Sequence, residues 1–423
     1  MQFRKPFAAL VTLCVAVASY ALAADWPQWR GPTRDGISKE TGLLKQWPAE
    51  GPKLVWSIDN LGNGYSTPSV VGDHIYLMSN QGMENEFVQA LSTRDGSEVW
   101  KVRVGKVGPN QGPQYPGARS TPTVDGDVLY ALGSDGDLAC LENSSGNVRW
   151  RKNLRTDFGG KPGQWAYSES PLVDGNALVC TPGGEEATMV ALDKKSGEVI
   201  WKSTAPGGDQ AAYASAIVVQ TNGVKQYVQF LQNGLVGVDA KTGKFLWRYE
   251  KTAKGSPANI PSPIEHDGFV YSATGRAGGG LAKIKPSPEG FTAEEVYFSQ
   301  TLPKAIGGVV LADGHMYGTS GGLMCVDFKS GEVQWENRSV GAGGVLYADG
   351  RLYVFGENNR EVALVEATPK EYREHGKFTP PGEPQRPDKG KAWAYPAVAN
   401  GRLYLRDQNM LWCYDVRATS NVQ

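Results

Sequence analysis

A glycine placed four residues ahead of a tryptophan recurs five times along this chain: Gly96 and Trp100, Gly146 and Trp150, Gly197 and Trp201, Gly243 and Trp247, Gly331 and Trp335. A small polar residue precedes each glycine: Asp95, Ser145, Ser196, Thr242 and Ser330. Each copy reads as a tight turn that feeds a short strand ending in Trp. The glycine supplies the positive φ that such a turn needs between antiparallel strands. The tryptophan then has a fixed place one strand later, where a large flat side chain can seal one sheet against the next. Turn glycines are common but tryptophan is not, so five copies of one offset are no accident of composition.

The distances between these tryptophans set the architecture. Trp100, Trp150, Trp201 and Trp247 follow one another at 50, 51 and 46 residues, and Trp335 comes 88 later, about two periods. One copy has therefore lost its Trp, and Phe298 in EEVYF is expected in its place. Trp56 lies 44 residues ahead of Trp100. A period in the forties, with about four short strands in each, predicts a β-propeller.

Taken in order, the units begin at Ser66, Ser120, Ser170, Ser215, Ser262, Gly307, Gly343 and Tyr395. That is eight inner strands. The last unit ends near Arg417 without an outer strand, and the isolated strand 53–59 is free to supply it. The expected fold is all-β: an eight-bladed propeller of four-stranded blades, closed by an N-terminal strand so that no sheet edge is left open. Residues 53–423 form the propeller and residues 25–52 a lead-in. Trp26, Trp29 and Trp47 of the lead-in are expected to pack on the outside. Gly275 to Glu294 reads as an insertion in blade 5. The polar, Pro-rich stretch 367–391 reads as a mobile loop after blade 7.

Met1 to Ala24 reads as a signal peptide. Arg4 and Lys5 precede an apolar run, Ala8 to Leu22, and Ala21-Leu22-Ala23 is a small-residue cleavage pattern. An uncleaved anchor is the alternative. Leu13 ahead of Cys14 disfavours lipidation. The expected location is the periplasm or cell envelope, as a monomer with no membrane span after processing. Of the remaining cysteines, Cys140, Cys325 and Cys413 occupy one slot of three different repeats. That slot is Ala191 and Val238 in two others, so it takes a small buried apolar residue, and Cys180 lies in another strand. Equivalent slots in separate blades are far apart, which argues against a disulfide network. A net charge of −1 gives no whole-molecule field for nucleic acid.

The repeat resembles that of the pyrroloquinoline-quinone (PQQ) propeller family, A-x-D-x-x-T-G-x-x-x-W. It is matched by Ala191-Leu192-Asp193 with Gly197 and Trp201, and by Val238-Asp239 with Thr242, Gly243 and Trp247. The lead-in WPQWRGPTRDGIS is similar to the N-terminus of exported bacterial members. The resemblance implies either a quinoprotein dehydrogenase or a non-catalytic propeller such as the lipoprotein subunit of the outer-membrane assembly machinery. Its conserved pattern builds blades, so Trp56, Trp100, Trp150, Trp201, Trp247 and Trp335 are expected to dock blades together.

Residues just before and at the inner strands gather around the channel at one face. That set includes Tyr65, Tyr115, Arg119, Trp165, Tyr167, Glu169, Tyr213, Asn259, Trp393 and Tyr395. It reads as a pocket for a flat or sugar-like ligand, with Arg119 for an anionic group. The plainer alternative has the aromatics filling the hub and Arg119 paired with Glu169. The dehydrogenase implied by the resemblance would use PQQ with Ca²⁺, which needs several oxygen ligands and a carboxylate base. Glu169 and Glu357-Asn358-Asn359 are the candidate ligands. The chain lacks the adjacent cysteine pair and the haem extension of that branch. The sequence therefore favours a binding or scaffold module with an envelope protein partner or a small ligand. A PQQ- and calcium-dependent dehydrogenase of alcohols or sugars and a carbohydrate-binding propeller stand as alternatives.

Overall fold

The computed structural model describes residues 24–108, 115, 117–387 and 390–418. The expected signal peptide, apart from Ala24, and Cys14 within it lie outside the described residues. The described chain forms eight four-stranded antiparallel blades, arranged as an eight-bladed propeller, and the short strand Ile37–Ser38 adds in parallel to the inner edge of blade 7. The inner strands are Ser69–Val71, Thr123–Asp125, Leu172–Asp174, Ile217–Thr221, Ile264–His266, Val309–Ala312, Gly343–Ala348 and Ala397–Ala399. Blade 8 takes its outer strand from Lys53–Ile58, which pairs antiparallel with Met410–Asp415. The N-terminal strand thus closes the ring.

The core lies between blades. Residues of one face of each sheet pack against the facing side of the next: Tyr130, Leu138 and Cys140 of blade 2 meet Leu178, Cys180 and Val190 of blade 3. Alternation along each strand makes both faces of a blade apolar, so every sheet is covered twice.

The repeated turn shows why its residues recur. In blade 3, Asp193 Oδ1 accepts from the backbone N–H of Lys195 and Ser196, and from Ser196 Oγ, at 3.0–3.1 Å. Gly197, at φ +75°, donates its N–H to the Asp193 carbonyl at 2.8 Å. A β-bulge follows: Trp201 pairs with Ala191 but Val199 with Leu192, leaving Ile200 unpaired. The bulge re-aims the tryptophan toward the neighbouring blade. The rings of Trp56, Trp100, Trp150 and Trp201 lie against Gly96, Gly146, Gly197 and Gly243 of the next blade. Their indole N–H groups donate to the Thr93, Asn143, Lys194 and Ala240 carbonyls at 3.0–3.2 Å. Trp335 does likewise to Thr368 at 2.8 Å. Each such bond contributes about 1 kcal/mol beyond the apolar contact.

Several expectations need correction. The place of the missing tryptophan is held by Tyr297, not Phe298: Tyr297 pairs with Leu281 after the bulge, lies against Gly331 and donates its hydroxyl to the Phe328 carbonyl at 3.0 Å. Trp247 docks differently. Blade 5 lacks the Asp-x-x-Ser-Gly turn, and Trp247 donates to Gln226 Oε1 of its own blade at 2.6 Å while sharing a core with Val270, Ala282 and Ile284 of blade 5. Its strand partner is Gly237, one residue before the expected Val238. The 275–294 stretch is no insertion but most of the long hairpin Gly278–Ser287 and Gly290–Ser299, the two outer strands of blade 5. Within 367–391, Glu374–Phe378 forms the outer strand of blade 7.

The lead-in does not lie outside. Trp26 is buried and exchanges backbone hydrogen bonds with Val70 at 2.8 Å. The Pro27 carbonyl accepts from Val124 N–H, and the Gly36 carbonyl from Tyr347 N–H. Arg34 donates to the Ser170 and Pro171 carbonyls at 2.8 and 3.1 Å. Arg30 donates to the Gly307 and Val309 carbonyls. The segment therefore crosses the hub, bonding inner-strand groups of blades 1, 2, 3, 6 and 7 that a bare channel would leave to water. Trp47 is buried between blades 7 and 8, against Tyr353 and Phe378.

Candidate functional site

The segments that carry the chain from one blade's outer strand to the next blade's inner strand all converge on one end of the hub. Hydroxyls fasten them to one another. Ser170 Oγ accepts from Thr121 N–H and Ser215 Oγ from Ser170 N–H, both at 2.9 Å. Thr67 Oγ1 accepts from Tyr395 N–H at 2.8 Å. This explains the Ser and Thr at the start of so many units, and it fixes the residues just upstream.

Those upstream residues enclose a cavity of about 350 Å³. Tyr65, Tyr115, Arg119, Trp165, Tyr213, Trp393 and Tyr395 line it, all seven of them expected from the sequence. Trp29, Ser168, Ala258, Ile260 and Ile306 complete the wall. The rings meet at steep angles. Tyr115 and Trp393 are 4.9 Å apart at 71°, and Trp29 and Tyr395 are 4.5 Å apart at 68°. Tyr65 and Trp393 are 5.2 Å apart at 43°. Such edge-to-face contacts are favoured by the ring quadrupoles and hold the wall rigid.

Three expected residues do not reach the cavity. Asn259 points the other way and donates to the Leu231 and Gln232 carbonyls. The alternation of extended chain decides this: Ala258 and Ile260 face inward, so Asn259 cannot. Tyr167 is buried between blades and donates to the Pro182 carbonyl at 2.8 Å. Glu169 accepts from Thr181 N–H and from Gln229 Nε2 at 3.0 Å. Burial pushes its carboxyl up to about 7, against the pull of those donors and of the Arg34 charge. The expected Arg119–Glu169 pair is not formed by this geometry. Arg119 donates to the Tyr115 carbonyl, sits 5.9 Å from the Tyr65 ring centre and shares its field with Glu86. Burial lowers its pKa from the ordinary arginine value. Trp29 was missed because nothing in a lead-in without strand alternation marks it as a channel residue.

The donor set bears on a calcium-bound quinone. Ca²⁺ takes six to eight oxygens, carboxylates prominent among them. No Asp or Glu is among the described residues lining the cavity. Glu357 lines an adjoining pocket that shares Ala258, Ile260 and Ile306 with this cavity, and is held by Lys391 Nζ at 2.6 Å and Trp393 Nε1 at 3.2 Å. Glu169 is enclosed by its own donors. The described residues lining this cavity therefore do not offer the carboxylate oxygens that a PQQ–calcium group would take.

A family profile described as outer membrane protein assembly factor BamB matches residues 84–337. The chain belongs to this family of PQQ-like propellers. The BamB of Yersinia pestis is 26% identical over 241 residues, covering 53% of this chain and 56% of that protein. The tetrathionate hydrolase of Acidithiobacillus ferrooxidans is 22% identical over 235 residues, 53% of this chain and 44% of that one. The chain thus spans about half the length of these curated relatives. BamB from Moraxella catarrhalis superposes with a TM-score of 0.60 at 15% identity, over 86% of this chain and 99% of that chain, a likeness of fold. The BamB-family blades account for the tryptophan repeat. The aromatic cavity is built by linkers between blades, which the repeat pattern leaves free to vary.

Proposed function

We propose that this BamB-family propeller acts by binding in the cell envelope, with the aromatic cavity as its ligand site and the rigid ring as a scaffold for a protein partner. The observation that carries the reading is the convergence of seven aromatic side chains and Arg119 on one cavity. A hub that only needed filling would close over, whereas these rings brace one another and leave room for a small molecule. The relatives named as outer membrane assembly factors support the scaffold half of the proposal. The basic start, apolar run and Ala21-Leu22-Ala23 of the sequence support export.

A thermal melt with and without PQQ plus Ca²⁺ tests the choice against dehydrogenase chemistry. A ligand at about a hundred times its Kd adds about 2.7 kcal/mol of stability. The expected result is no shift of the midpoint. A shift that needs both components would overturn the binding-only reading. Fractionation of cells producing the full chain tests location, with recovery from the envelope expected. Recovery from the cytosol with Met1 retained would overturn the envelope assignment.

A further inference from the structure

Glu40 is a buried carboxylate far from any role in the cavity. It is 2% exposed and lies between the Ile37–Ser38 strand on blade 7 and the Leu43–Arg417 bridge just past the last strand of blade 8. Its Oε2 accepts from Gly401 N–H at 2.7 Å, in the Asn400-Gly401 turn of blade 8. Its Oε1 accepts from Ala24 N–H at 3.3 Å. Burial raises its pKa, and those backbone donors oppose the rise. Among the described residues no Lys, Arg or His is paired with it. A carboxylate taken out of water needs a cation or strong donors to offset its lost hydration, and one amide N–H at 3.3 Å is a weak donor. Ala24 is also the first residue after the small-residue pattern Ala21-Leu22-Ala23.

We infer that the signal peptide is removed between Ala23 and Ala24, and that the new α-ammonium of Ala24 forms an ion pair with Glu40. This goes beyond the proposed binding function and rests on its export half. Hydrolysis of the Ala23–Ala24 amide by a signal peptidase takes up one water. It leaves a carboxylate on Ala23 and an amine on Ala24, and the amine takes the released proton. An α-amino group ordinarily titrates at about 8, so it is charged at neutral pH, and the carboxylate favours that charge further. A full charge with three donors thus replaces a neutral amide with one, at the Glu40 oxygen that the amide reaches only loosely. Cleavage after Ala24 would discard the residue that reaches Glu40. The pair also has a place in the ring. Asp25 Oδ1 accepts from Gly72 N–H of blade 1 at 3.0 Å and from Asn400 Nδ2 of blade 8 at 3.4 Å, and Trp26 exchanges backbone hydrogen bonds with Val70. Processing therefore fastens the lead-in across the seam where the first and last blades meet.

The test starts from cells producing the full chain, with the first residue of the recovered protein read by mass spectrometry. Ala24 is expected. Urea unfolding of the mature chain is then compared with a chain carrying Gly-Ser ahead of Ala24, each with and without Glu40→Gln. Glu40→Gln keeps the shape and an acceptor for Gly401 N–H, so it isolates the charge. The extension should lower the folded-to-unfolded ratio of the parent protein about tenfold, equivalent to about 1.4 kcal/mol, and leave that of Glu40→Gln unchanged. Circular dichroism of each variant shows whether it has kept its fold. An exported chain that begins at Asp25 overturns the pair and leaves export standing. Losses from the extension and the substitution that simply add do the same, since an extension that acts by bulk alone costs both proteins equally. Recovery with Met1 retained overturns both.

Discussion

Trp150 of blade 2 donates its indole N–H to the Lys194 carbonyl of blade 3 at 3.2 Å, and the same ring covers Gly197 three residues further on. One side chain thus reads both the carbonyl and the missing Cβ of a turn in the next blade. Gly197 has φ +75°, and a Cβ there would fall 3.0 Å from the Trp150 ring. Gly197→Ala therefore combines backbone strain with a clash, and should cost about 2–3 kcal/mol. Gly175, at φ +60° in the inner turn of the same blade, has nothing within 4 Å of its would-be Cβ. Gly175→Ala should cost only the backbone part, about 1 kcal/mol. Urea unfolding of the two variants checks the difference; equal losses would mean that the tryptophan contact contributes little.

Arg30 carries a second prediction. It is 1% exposed, and its guanidinium donates to the Gly307, Val309 and Asp35 carbonyls. Burial lowers its pKa, with the Tyr395 ring and Asp35 opposing. Arg30→Met leaves those carbonyls without a donor and should destabilise by about 3 kcal/mol. Hydrogen exchange should rise first at Trp26, Val70 and Tyr347, whose amides pair across the lead-in. Unchanged exchange there would show that the hub holds the lead-in by other contacts.

The blades were legible because their pattern is local. A turn glycine and a tryptophan four residues on lie within one hairpin, so sequence order is enough to place them. Tyr297 was misplaced by one residue because the cue was an aromatic in a strand and Phe298 is its neighbour; the bulge at Val296, which fixes the choice, has no mark in composition. The site was half legible. The linkers ahead of the inner strands could be named from the repeat, but which of Ala258, Asn259 and Ile260 faces inward depends on local twist. Trp29 and Arg30 are held at the hub by contacts with blades 5, 6 and 8, more than 200 residues away in the chain. Nothing within their own neighbourhood specifies that.

The cysteines give a third prediction. Cys140, Cys180, Cys325 and Cys413 are free and buried. Burial pushes the Cys140 and Cys325 thiols up to about 11 and the Cys413 thiol to about 12, and it raises Cys180 well above the ordinary range. Thiolate is the reacting form, so iodoacetamide at pH 8 should leave all four unmodified in the native protein and label them in urea. Mass spectrometry reads the outcome. Rapid native labelling of any one would place it in an opening blade.

Glu86 should make stability depend on pH. Its carboxylate is fully buried in blade 1 and accepts from Ser134 N–H at 3.0 Å and Ser134 Oγ at 2.6 Å in blade 2. Burial pushes it up to about 7, opposed by the Ser134 bonds and the Arg119 charge. A carboxyl whose pKa is higher folded than unfolded binds its proton more tightly in the native state. Its contribution is thus complete below the unfolded value near 4.5 and is lost as pH rises through 7. Between those limits the slope approaches about 1.4 kcal/mol per pH unit. Glu86→Gln resembles the protonated form: its carbonyl can still accept from Ser134 N–H and its amide can donate to Ser134 Oγ. The variant should nearly match the wild type at pH 4.5 and exceed it by about 3 kcal/mol at pH 8. Urea unfolding at both values decides it, and parallel curves would mean that Glu86 is ionised throughout, held by Arg119 against its burial.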